Sequence, residues 1–97
     1  ASQAALLPPL HQAVAAGSQA VAAIDEPLAR LIAAGVLLRQ GRASPALVAQ
    51  AVGTASEQGW RRPLLAWLGV QARLAEQAGQ TEEAARIHRR MDLVGPR

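Results

Sequence analysis

Apolar residues recur along this chain at intervals of three and four, the spacing of one face of an α-helix. Leu7, Leu10, Val14, Gly17, Val21 and Ile24 form a first, narrow seam. It predicts a helix over residues 8–24, behind a lead-in at 1–7. Asp25-Glu26-Pro27 reads as an N-cap, a first-turn acid and a proline whose missing N–H is not needed there. The helix that follows carries Leu28, Leu31, Ile32, Gly35, Val36 and Leu38 as a broad apolar surface, with Arg39 in its last turn and Gly41 ending it. Ser44-Pro45 then starts a third helix that turns Leu47, Val48, Ala51, Val52 and Ala55 inward, and Gly59 terminates it.

The pattern continues in residues 63–96. Pro63 sets the first turn of a helix in which Leu64, Leu68, Ala72 and Ala75 recur, and Trp67, Leu74 and Ala78 widen the stripe. Gly79 stops it in a left-handed conformation, and Thr81 caps the next helix, with Glu82 and Glu83 at its positive end. Ala84, Ile87, Met91 and Val94 make the last apolar stripe, Arg86, Arg89 and Arg90 suit that helix's negative end, and Gly95-Pro96 closes it. The expected fold is therefore a single all-α domain of about five helices: the N-terminal helix and two antiparallel helical hairpins, residues 26–58 and 63–94. Gly41 and Gly79 each separate the two helices of a hairpin, so the hairpins echo one another as a weak repeat.

Residues 63–96 resemble the tetratricopeptide repeat, whose pattern sets small residues where two helices cross and a proline at the end. With Gly79 taken as the turn glycine, Leu68, Ala72, Ala75, Ala84 and Pro96 fall at family positions. Gln71, Thr81 and His88 depart from the pattern, and Trp67 stands one residue from the family tryptophan. The resemblance implies a right-handed stack of the hairpins and a non-catalytic role in protein interaction or assembly. It also implies that the first helix of each hairpin lines a concave groove. Leu28, Leu31, Leu38 and Arg39 would then meet a partner from one hairpin, and Arg73, Glu76 and Gln77 from the other. The occupant would be a helix or an extended peptide, as in a small chaperone of a secretion or assembly system that wraps an amphipathic helix. A homodimer could use the same surface, and the Leu10–Ile24 seam could cover its leucines from within the chain.

Composition narrows the alternatives. The chain is 51% hydrophobic, much of it alanine, with no Phe, Tyr or Cys. That favours close-packed helices over a sheet, because Ala prefers helix and has little strand preference. The net charge is +3, and all ten basic residues are Arg, a bias that fits a GC-rich genome. Trp60, Arg61, Arg62, Arg86, Arg89 and Arg90 could stack on and pair with single-stranded nucleic acid. Against that second reading, +3 is a small electrostatic footprint, and Glu82 stands at the right spacing to pair with Arg86.

His11 and His88 are the chain's two histidines, and neither sits one helical turn from another ligand with carboxylate support, whereas zinc needs three or four converging ligands. His88, beside Ile87, is expected to be packed or half-exposed. The hydroxyl and acidic residues sit where caps and first turns need them, so no nucleophile, base and acid can be assembled. The sequence predicts no enzyme activity, no metal and no cofactor. Its longest apolar run, Leu31–Leu38, is far shorter than the ~18–20 residues of a membrane span. The start at Ala1-Ser2-Gln3 fits a mature exported chain or an excised domain, and leaves cytoplasm and periplasm equally open.

Overall fold

The computed structural model describes residues 18–95. Among them are five α-helices and no strand: α1 (Ser18–Ala22), α2 (Pro27–Arg39), α3 (Pro45–Gln58), α4 (Arg61–Gln77) and α5 (Thr81–Val94). The expected all-α class is what forms. Most of the expected 8–24 helix lies outside the described residues. The chain divides into two compact units, Ala1–Gln50 and Ala51–Arg97, so the division falls inside α3.

In the first unit α1 packs on α2, and its Val21 is fully buried. The link between them is tied down by Arg30, whose Nη1 donates to the Ile24 carbonyl at 2.8 Å. The N-cap of α2 is Glu26, where the sequence pattern suggested Asp25. Its carboxylate accepts from the Ala29 N–H at 2.8 Å and the Leu28 N–H at 3.2 Å. The reason is Pro27, which pushes the preceding residue out of the helical region. Glu26 accordingly sits at φ −81°, ψ 119°, the extended conformation of a cap.

The core face of α2 is Leu31, Ala33, Ala34 and Leu37. Of the apolar surface expected from the sequence, Leu31 belongs to it, whereas Leu28 and Ile32 point to solvent. At the far end Gly41, at φ +72°, lets the Arg42 N–H reach the Leu37 carbonyl at 2.9 Å and its own N–H reach that of Leu38 at 3.0 Å. This pair of bonds satisfies carbonyls that the helix end would leave open. Ser44 then caps α3, its Oγ accepting from the Leu47 N–H at 3.1 Å. Leu47, Val48, Ala51, Val52 and Ala55 are all buried, as their spacing predicts.

The second unit holds the end of α3 and the antiparallel hairpin of α4 and α5, which pack closely along one another. Leu64, Trp67, Leu68, Ala72 and Ala75 of α4 are buried, as are Ala84 and Ile87 of α5. Gly79, at φ +77°, closes α4 with the same pair of bonds, Gln80 N–H to the Ala75 carbonyl at 2.8 Å and Gly79 N–H to that of Glu76 at 3.1 Å.

Three end details correct the sequence reading. The fourth helix begins at Arg61 rather than Pro63, with Trp60 as its N-cap. Proline marks only a window here, because none of the first four N–H groups has a helical partner. The N-cap of α5 is Gln80, and Thr81 is its first helical residue. The C-terminal end of α5 carries no basic residue in its last turn. Its cation comes instead from α4, where Arg61 Nε donates to the Val94 carbonyl at 2.9 Å. That contact complements the negative helix end from 33 residues away.

Candidate functional site: the outward face of α2

A surface helix of a globular protein is expected to be apolar on one stripe and polar on the other. The fifth helix follows this apart from Leu93 near its end: Ala84 and Ile87 are buried, and Glu82, Arg86, Arg89 and Arg90 are exposed. The second helix does not. Its sequence PLARLIAAGVLLR contains Arg30 and Arg39 as its two polar residues, so it is apolar around most of its circumference. With Leu31, Ala33, Ala34 and Leu37 turned inward, the opposite face consists of Leu28, Ala29, Ile32, Gly35 and Val36, with Arg39 following in line one turn on. Leu28 retains 53% of its surface and Ile32 50%. Ala29, Gly35 and Val36 are half-buried, and the space a Cβ on Gly35 would enter is open to 4 Å. An apolar strip about two and a half turns long thus runs along α2 from Leu28 to Val36.

The charges around the strip are arranged along its length. Asp25 and Arg39, both exposed, flank its two ends, and neither side chain has a partner among the described residues. Glu26 is already engaged as the cap of its own helix.

The residues expected to meet a partner divide between the two units. In the first, Leu28 and Arg39 are exposed, Leu38 is half-buried, and Leu31 keeps only 8% of its surface. In the second, Arg73, Glu76 and Gln77 of α4 are all exposed. Glu76 faces His88 of α5, with Oε2 3.2 Å from Nε2, and the His88 side chain is half-exposed on the hairpin surface, one of the two placements expected. Ile32 and Val36 were not among the candidate site residues. The sequence signal for them is the apolar ring itself, which leaves α2 no polar side to turn outward.

The arginine set is more dispersed in its partners. Trp60 is half-buried at the start of α4, and Arg62 and Arg89 are exposed. Arg61 is held by the end of α5. Arg86 pairs with Glu83 one turn before it, in place of the expected Glu82. Arg90 Nη2 reaches Ser56 Oγ at 3.4 Å. Leu93, 81% exposed, stands beside Arg89 and Arg90 on the same helix.

Among the described residues no three His, Asp or Glu side chains converge as metal ligands. No described helix is long and apolar enough to cross a membrane. Every buried side-chain nitrogen or oxygen among them has a hydrogen-bond partner. Comparison with protein families, curated proteins and solved structures finds no match to this chain.

Proposed function

We propose that this chain is a non-catalytic protein-interaction or assembly module of tetratricopeptide-like helical hairpins, and that the outward face of α2 is its docking surface. The observation that supports the reading most is the half-exposure of Leu28 and Ile32 on a helix with no polar face. Leaving such a surface in water costs about 25 cal/mol per Å² of apolar area, and contiguous exposed apolar patches mark interaction sites. A further support is that Asp25 and Arg39 stand unpaired at the ends of the strip, where they can orient a bound helix. The arginines of α4 and α5 favour nucleic acid less, since Arg61 and Arg86 are engaged within the chain.

A photo-crosslinking residue placed at position 32 and expressed in the native host tests the reading. The expected result is a discrete protein adduct from position 32 and none from position 89. Adducts from position 89 alone, or adducts to nucleic acid, would refute it.

A further inference from the structure

We infer that α2 pairs antiparallel with α2 of a second copy of this chain, about a two-fold axis that passes Ile32. The inference rests on the reading of α2 as a docking surface and names the occupant. A two-fold axis makes each surface its own partner, so the patch must be complementary to itself. The strip on α2 meets that condition position by position. With Ile32 opposite Ile32 of the second copy, residues three or four before it meet residues three or four after it. Leu28 then lies against Gly35 of the second copy, and Val36 against its Ala29. At each place a large side chain meets a small one.

The space above Gly35 is open, so a leucine can enter it. The small residues also let the helix axes approach to about 8 Å, the near end of the usual range. Arg39 lies seven residues past Ile32 on the helix, and Asp25, in the link before the extended Glu26 cap, lies beyond the other end of the strip, so the antiparallel pair brings each Arg39 toward the end of the second copy that carries Asp25. These are the two charged residues near the strip that lack partners among the described residues. A parallel arrangement would instead bring like charges together.

The size of the contact sets the strength. The second helix has 13 residues and is about 20 Å long, so the contact falls at the small end of specific interfaces. A micromolar dimer is expected, held by Leu28, Ile32 and Val36 and set in register by the charges.

Sedimentation equilibrium of the full chain from about 1 to 500 µM tests the pairing, since this range brackets the affinity expected for so small an interface. The wild-type chain should pass from monomer to dimer. Ile32→Glu places two carboxylates at the axis and should weaken association by more than about a hundredfold while circular dichroism stays helical. Leu28→Gln probes the same face without a charge and should weaken it about tenfold. Asp25→Arg and Arg39→Asp should each weaken it roughly three- to tenfold, and the double reversal should recover most of that loss.

A wild-type chain that is monomeric throughout, a dimer indifferent to both Ile32→Glu and Leu28→Gln, or a double reversal no better than the single ones would each overturn the pairing. If the chain is monomeric but position 32 crosslinks to a different protein, the pairing falls and the docking surface stands. If it neither self-associates nor crosslinks through position 32, both fall.

Discussion

Gly79 offers a clean separation of backbone strain from packing. It sits at φ +77°, and nothing lies within 4 Å of where a Cβ would be. An alanine there meets no neighbour, so its cost is the left-handed conformation alone, about 1–2 kcal/mol. Alanine also removes some freedom from the unfolded chain, which returns about 0.4–1 kcal/mol. The net expectation for Gly79→Ala is a destabilisation near 1 kcal/mol, or about 4–8 °C in Tm for a domain of this size. Gly79→Val should cost more, because a β-branched residue is a poorer occupant of positive φ. Gly79→Asn should cost less than alanine, because asparagine tolerates that region.

D-Alanine, introduced by chemical synthesis, should reverse the sign and stabilise by about 0.4–1 kcal/mol, since its preferred φ matches the site. Gln80, next door, has φ −91°, so Gln80→Val is the control. Thermal melts and urea titrations followed by circular dichroism read the series. If Gly79→Val and Gln80→Val destabilise equally, the left-handed helix end is not what the glycine is for. Gly41 and Gly59 have φ +72° and +71° with equally open surroundings, so the same ranking should repeat there.

Two further substitutions test the packing and the caps. Glu26→Ala removes both cap bonds of α2 and should cost about 0.5–2 kcal/mol, whereas Asp25→Ala should stay within about 0.5 kcal/mol; equal losses in urea titrations would return the cap to Asp25. Ala72 is 1% exposed on α4, so Ala72→Leu should destabilise by about 1–3 kcal/mol through overpacking against α5, and an unchanged or raised Tm would contradict that burial.

What could be read from the sequence follows from how local each signal is. The buried apolar set of α3, from Leu47 to Ala55, was legible because its residues recur at three-four spacing, although Thr54 is buried among them at 4% exposure and Ala46 and Ala49 are exposed. The stops at Gly41, Gly59 and Gly79 were legible because only one residue type occupies positive φ without strain. The inward face of α2 was not, because a helix apolar on nearly every side gives periodicity no phase. Leu37, fully buried like Ala33, therefore looked no different from Ile32, which is half-exposed.

The Glu26 cap was present in the sequence as a pre-proline restriction, and the usual preference for aspartate at a cap hid it. The bond from Arg61 to Val94 and the approach of His88 to Glu76 join residues 33 and 12 positions apart. Contacts of that kind depend on how α4 and α5 lie together, which no local pattern records. The candidate site was legible in part: Leu28 and Arg39 are exposed on α2, but its centre, Ile32, emerges only once Leu31 and Leu37 are known to be buried.

The claim that α2 docks a second copy of this chain through its outward face is tested most directly by amide NMR of the full chain. Spectra would be recorded on dilution and again on addition of a single-stranded oligonucleotide. The account predicts that dilution shifts the amides of residues 28–39, with the largest changes around Ile32, and that the oligonucleotide leaves those residues unmoved. Dilution-independent α2 amides, together with oligonucleotide shifts centred on Arg89 and Arg90, would contradict it.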